Sequence, residues 1–260
     1  MLSVDTYQTV AEAAGAMTDR SRFLGGGTLI MRAVNYGDQS FDRIVRSRQL
    51  DRTIKAESSG VRIGAAATMT DILASRDVQF LHPVARVIGG PAIRNMATVG
   101  GNLFAPAPYG DFAAALLALD ARIVMSSGQA EPVESFLAGR NHTRGVVVAV
   151  QIPAVNEADF RFLKVSRVKP KGISMLSIAA LLRRGDTRIA WGNMGQTPLR
   201  SKAAERLLNN APLDEAGIAP ALAVCAQDLQ PFDDALATAW YRREVAPVHL
   251  KRLLLDGGRR

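Results

Sequence analysis

Hydrophobic and polar positions along the chain change period several times, and the changes mark out its elements. Residues 7–17 are rich in Ala and Glu and predict a short helix. Arg22-Phe23-Leu24 predicts a brief strand running into Gly25-Gly26-Gly27-Thr28, after which 29–34 is apolar and predicts the start of a helix. Short alternating stretches over 41–45, 52–55 and 61–65 predict strands. Thr68 with Asp71 three residues on has the spacing of a capping box and predicts a helix to about residue 75. A helix is expected over 83–88, followed by a loop-rich stretch from Gly89 to Asn102. Ala- and Leu-rich residues 112–119 predict a helix opened by Asp111. Strands are expected at 122–125 and 145–152, the second a near-continuous run of valine and hence buried on both faces. The polar, proline-marked segment 153–159 predicts a boundary. Beyond it come three strands (160–168, 174–183 and 188–193) and three helices (202–209, 215–229 and 234–255), the last interrupted near Pro247. Strands followed by helices predict an α+β domain.

Composition narrows the class. The 260 residues, 48% hydrophobic and 22% charged, suit a globular protein of two domains with a sizeable core. The single cysteine, Cys225, excludes an internal disulfide and an iron–sulfur cluster held by this chain, and reads as a small buried hydrophobe. No apolar run reaches the ~18 residues of a membrane helix. The first residues lack the basic-then-apolar order of a signal peptide, so a cytoplasmic location is expected. The net charge of +8 raises the question of nucleic acid. The basic residues are scattered, however, and the densest groups are only pairs: Arg183-Arg184, Arg242-Arg243 and Arg259-Arg260. A solvated basic surface, or a site for an anionic cofactor, is the better reading, with no nucleic acid and no membrane as partners.

Hydrolytic and metal chemistries find no support. The three histidines (His82, His142, His249) are far apart and form no ligand pair. There is no nucleophile elbow, no P-loop and no dinucleotide fingerprint, since the third glycine position after Gly25 and Gly27 holds Ile30. Two glycine-rich loops remain: Gly25-Gly26-Gly27-Thr28 and Thr98-Val99-Gly100-Gly101-Asn102. Glycines allow close backbone approach, and successive amides make an anion-binding concavity. Together the loops suit a pyrophosphate. Asp111 suits a ligand hydroxyl, or a plain helix N-cap.

These residues resemble a known family. Arg22-Phe23-Leu24-Gly25-Gly26-Gly27-Thr28 is similar to the phosphate loop of the FAD (medium) subunits of molybdenum hydroxylases, the xanthine dehydrogenase and carbon monoxide dehydrogenase type. Ile93-Arg94-Asn95-Met96-Ala97-Thr98-Val99-Gly100-Gly101-Asn102-Leu103 resembles its second FAD loop. Pro108-Tyr109-Gly110-Asp111-Phe112 resembles its Asp-led helix, and Ala239-Trp240-Tyr241-Arg242-Arg243-Glu244 its C-terminal helix. The likeness covers nearly the whole chain in order. It departs at Gly25, usually Ala in the family, at Ala107, usually Ser, and in a first loop one residue shorter after Thr28.

The resemblance implies an α+β fold. A two-subdomain FAD-binding domain of the PCMH (vanillyl-alcohol-oxidase-like) type would span 1–155, with subdomains of about 1–55 and 56–155 and the flavin between them. A C-terminal α+β domain, with a small antiparallel sheet and helices, would span 156–260. It also implies cofactor contacts from Leu24, Gly25, Gly26, Gly27, Thr28, Leu29 and Ile30, and from Thr98, Gly100, Gly101 and Asn102. Ile88 would touch the flavin, Asp111 would bind hydroxyls of the FAD chain, and Val147 or Val148 would offer its backbone. Lys164 would sit by the flavin and raise its potential. The implied function is an oxidoreductase subunit without catalytic or metal residues of its own. It would take electrons from the [2Fe-2S] clusters of a small subunit, reduced by a large subunit carrying the molybdopterin cofactor, and pass them to NAD+, oxygen or another acceptor. The competing expectation is a standalone FAD-dependent oxidase with its own substrate pocket.

Overall fold

The computed structural model describes residues 2–143, 145–168 and 172–256, which leaves the Arg259-Arg260 pair outside it. The chain forms two compact units, Met1–Ala105 with Ala121–Ala154, and Pro106–Asp120 with Val155–Arg260.

The first unit holds two sheets. β1 (Ser3–Tyr7), β2 (Ser21–Phe23) and β3 (Arg43–Ser47) form a parallel sheet with β3 in the middle. α1 (Val10–Gly15) and α2 (Ile30–Asn35) supply its crossovers. The second sheet is antiparallel. Its strands are β4 (Ile54–Glu57), β5 (Gly60–Gly64), β6 (Arg122–Met125), β7 (Ala130–Pro132) and β8 (Val147–Pro153), in the order β4-β5-β8-β6-β7. Central β8 carries the valine run and buries Val147, Ala149, Val150 and Ile152, while Val148 and Gln151 stay half-buried, so the strand is not buried on both faces throughout. Short helices lie between these strands: α3 (Met69–Ala74), α4 (His82–Arg86), α5 (Pro91–Arg94), α6 (Val99–Leu103) and α8 (Val133–Gly139). The capping box that opens α3 is formed: Thr68 accepts from the Asp71 amide, and the Asp71 carboxylate accepts from the Thr68 amide.

The second unit is an antiparallel sheet of β9 (Phe160–Ser166), β10 (Ser174–Leu181), β11 (Arg188–Gly192) and β12 (Leu199–Arg200), in the order β12-β11-β10-β9. α7 (Asp111–Ala118) packs against β10 and β11 and is buried on all sides. α9 (Lys202–Leu208), α10 (Glu215–Val224) and α11 (Ala239–Asp256) complete the unit around Ile178, Trp191, Leu208, Ile218, Leu250 and Leu254. Cys225 belongs to this core, and burial pushes its thiol up to about 11. Arg242 is fully buried on α11. It donates to the carbonyls of Met175 and Ala237 at 2.9 Å each and pairs with Asp234 at 2.8 Å.

Four features differ from the sequence expectations. β1 replaces the start of the expected 7–17 helix, and α1 begins only at Val10, where Thr9 caps it. The stretch expected to be loop from Gly89 to Asn102 contains α5 and α6. β7, α8 and β12 had no counterpart in the expected elements. α11 runs unbroken through Pro247, because buried Ala246, His249, Leu250, Leu253 and Leu254 hold both halves of the helix on the core.

Candidate functional site

The first glycine loop begins where β2 ends. The Leu24 amide makes the last ladder bond, to the Val45 carbonyl at 2.8 Å, and the chain then leaves the sheet. Among the described residues, the amides of Gly25, Gly26, Gly27, Thr28, Leu29 and Ile30 donate to no protein acceptor. These residues are half-buried, so the amides are neither fully hydrated nor paired. Gly27 turns the chain at φ +74°, a conformation that favours glycine, and its carbonyl accepts from Met31 as α2 begins. A run of unpaired amides at the mouth of a helix is an anion-binding concavity.

The second loop is built differently. Thr98 caps α6, its hydroxyl accepting from the Gly101 amide at 3.0 Å. The Val99 amide donates to Ala67 and the Gly100 amide to Ala65, both at 2.8 Å. The Asn102 amide donates to the Thr98 carbonyl at 3.0 Å, and its side-chain nitrogen donates to the same carbonyl at 2.8 Å. Every amide from Val99 to Asn102 is therefore committed within the protein. What this loop still offers a ligand is the hydrogen of the Thr98 hydroxyl and a closely approachable glycine surface.

The two loops touch. A Cβ on Gly25 would stand 2.8 Å from the Thr98 hydroxyl oxygen, and one on Gly26 would stand 1.5 Å from the Met96 carbonyl oxygen. At Gly26, where a Cβ would meet backbone, glycine is needed for the loops to dock on one another, a reason the sequence does not disclose. Gly100 is also close-packed, and a Cβ there would stand 3.0 Å from that of Ala65.

Ile88 is half-buried just past α4, beside Gly89 at φ +54°. Val148 lies in β8 opposite an irregularity: Ala149 pairs with Val124 and Val147 with Met125, which makes Val148 the extra residue of a bulge. Its carbonyl accepts from Ala65 at 2.9 Å.

In the second unit, Asp111 and Lys164 form an ion pair at 3.0 Å with side chains only 6% and 8% exposed. Asp111 is the first residue of α7, and the cap position belongs to Gly110, so the carboxylate does not serve as the N-cap. It favours the start of the helix through the dipole instead. Lys164 extends from β9 opposite Ser177 of β10. The lead-in to α7 is anchored by Asn193, which the sequence reading passed over. Asn193 lies at φ +60°, is buried, and its side-chain nitrogen donates to Ser174 at 2.6 Å and to Pro108 at 3.3 Å. No sequence signal marks it, because it acts on carbonyls distant in the chain.

Among the described residues no group of His, Cys, Asp or Glu is placed to hold a metal ion, and no helix is long and apolar enough to cross a membrane.

The sequence matches the family described as "FAD binding domain in molybdopterin dehydrogenase" over residues 1–155, and the family "CO dehydrogenase flavoprotein C-terminal domain" over residues 161–256. It is 27% identical to the xanthine dehydrogenase FAD-binding subunit of Escherichia coli O157:H7, covering 95% of this chain and 93% of that protein. It is likewise 27% identical to the carbon monoxide dehydrogenase medium chain of Hydrogenophaga pseudoflava, again covering 95% and 93%. A chain of the solved carbon monoxide dehydrogenase from Hydrogenophaga pseudoflava superposes with a TM-score of 0.88 at 25% identity, covering 96% of this chain and 95% of that one.

Proposed function

The chain belongs to the family of FAD-binding subunits of molybdopterin dehydrogenases, and from that premise we propose that it is the electron-transfer flavoprotein of a heteromeric molybdenum hydroxylase. The observation that carries the reading is the run of amides from Gly25 to Ile30 with no protein acceptor among the described residues. A pyrophosphate supplies the acceptors this run lacks, and the residues present therefore fit the cofactor.

Bound FAD supplies the ability to accept electrons singly and release them in pairs. The chain's own residues bind and tune it. Amides from Gly25 to Ile30 hold the phosphates, with Leu24 ending the strand that presents them. Thr98 donates its hydroxyl hydrogen, while Gly100, Gly101 and Asn102 keep the second loop in place. Ile88 and the bulged backbone at Val148 face the flavin. Asp111 accepts from hydroxyls of the cofactor chain, and Lys164 places a positive charge by the ring. In the assembled enzyme a large subunit with the molybdopterin cofactor oxidises the substrate. A small subunit with [2Fe-2S] clusters conveys the electrons here, and NAD+, oxygen or another acceptor takes them. The complex is cytoplasmic, and neither nucleic acid nor membrane is among its partners. The relatives named as medium chains or FAD-binding subunits support this assembly.

The test is titration of the purified, flavin-stripped chain with FAD. One FAD per chain is expected to bind, and acid precipitation is expected to release it. Gly26→Ala is expected to lose binding while keeping its circular dichroism, because its Cβ would meet the Met96 carbonyl. No binding by the unsubstituted chain, or flavin retained on the precipitate, rejects the reading.

A further inference from the structure

We propose that Arg94 is a positioning residue that holds Ile88 in place for the cofactor, acting through the backbone of the turn between α4 and α5. The inference rests on the reading that this chain carries FAD with Ile88 against the flavin. It adds a residue to which no role has been given.

The turn has an unusual satisfaction problem. α4 ends with the Val87 amide bonded to Val84 and the Ile88 amide bonded to Ala85. Gly89 then reverses the chain at φ +54°, and Gly90 leads into α5 with no side chain to cap it. The carbonyls of Arg86 and Gly89 are left without any backbone donor among the described residues. Helix ends that cannot satisfy their own carbonyls need a donor from elsewhere. Arg94 provides it. Its Nη1 donates to the Gly89 carbonyl at 2.6 Å and to the Arg86 carbonyl at 3.3 Å. Its own amide donates to the Gly90 carbonyl at 3.0 Å, which fixes the base of the side chain to the same turn.

The opposite side of the turn is fixed sterically. A Cβ on Gly89 would stand 2.7 Å from both Cβ and Cγ2 of Ile93. Ile88 thus lies in the chain between two carbonyls, of Arg86 and Gly89, that one guanidinium holds. A charge-assisted bond of 2.6 Å is among the stronger ones available to a backbone carbonyl. The turn is half-buried, and Arg94 bonds a carbonyl on each side of Ile88, so the placement of Ile88 follows Arg94. The guanidinium bonds the turn itself, at Arg86 and Gly89, and not the glycine loops that would hold the phosphates. Phosphate affinity and flavin environment therefore separate in the variants.

The experiment uses the FAD-loaded full chain. Arg94→Ala, Arg94→Lys and Gly89→Ala are compared with the unsubstituted protein for FAD dissociation constant, visible flavin spectrum, flavin fluorescence and reduction potential. Circular dichroism confirms that each variant folds. Arg94→Ala is expected to change the fine structure of the visible band and to raise flavin fluorescence, with affinity altered by less than about tenfold. Gly89→Ala is expected to give the same signature by pushing the turn from the Ile93 side. Arg94→Lys, whose ammonium can donate to the same two carbonyls, is expected to return toward the unsubstituted spectrum. Spectra and fluorescence unchanged in both alanine variants overturn the proposal. So does an Arg94→Ala variant that loses far more than tenfold in affinity while Gly89→Ala does not, because that makes Arg94 a direct ligand. If the unsubstituted chain binds no FAD, the functional reading beneath the proposal fails, and the proposal with it.

Discussion

Asp111 and Lys164 were expected to act separately on the cofactor, one on its hydroxyls and one on the flavin. The structure joins them at 3.0 Å with little water around either. A lysine already paired with a carboxylate presents a nearby flavin with a dipole more than with a full charge, and so with a weaker lever on its potential. Removing one partner breaks this buried pair, which costs up to about 3–5 kcal/mol. Lys164→Met and Asp111→Leu are each expected to lower the urea-unfolding free energy by about that much. The double variant should lie closer to the unsubstituted protein, because apolar replacement of a buried pair is often neutral. Additive losses in the cycle would show that the two side chains do not depend on one another. Asp111→Asn, which keeps shape and removes charge, is expected to raise the flavin potential by taking away the carboxylate charge beside the lysine, with potentiometry as the check. A fall in potential would place Lys164 away from the flavin.

At the scale of elements, α11 gives the sharpest expectation. Its helix passes through Pro247, which has no amide to donate to the preceding turn and crowds the carbonyl there. Tertiary packing overrides that local penalty. Pro247→Ala is therefore expected to stabilise the protein by about 1–3 kcal/mol, read as a higher melting temperature. No change would mean that the helix is distorted at that point and gains nothing from alanine. The same competition between local signal and packing decides how much of the fold was legible. Strands β5, β6 and β8–β11 announce themselves by alternation or by apolar runs, and α3 by its capping box. α6 was hidden by Gly100 and Gly101, which read as loop; it is a helix because Thr98 caps it and because Ala65 and Ala67, some thirty residues earlier, accept its first amides. β1 was hidden because Ser3–Tyr7 buries none of its residues fully and carries no strong alternation. Of the site, the positions of both glycine loops were legible in the sequence. Which loop keeps its amides free was not, because the acceptors that decide it are distant in the chain.

At the scale of the molecule, the proposed role of the chain is that of an intermediate carrier. It has one cysteine, buried in the core of the second unit with its thiol pushed up to about 11, so a cluster that needs several thiolates belongs to another chain. Its amide-lined loop fits an anionic cofactor. On the proposed reading, substrate oxidation belongs to the partner subunits. The FAD-loaded chain is therefore expected to show no turnover with organic substrates, yet to reoxidise after chemical reduction when an acceptor is added. Turnover is expected to appear when the iron–sulfur and molybdenum subunits are mixed with it. Substrate preference should then be set by those subunits. Lys164→Met is expected to lower the rate for every substrate by the same factor, because in the proposed arrangement it acts on the flavin and does not meet the substrate. The measurement is steady-state turnover of the assembled complex with several substrates, beside the lone chain under the same conditions. Turnover by the lone chain, or a change in the ranking of substrates when Lys164 is replaced, would instead identify a self-sufficient flavin oxidase whose substrate binds within reach of Lys164.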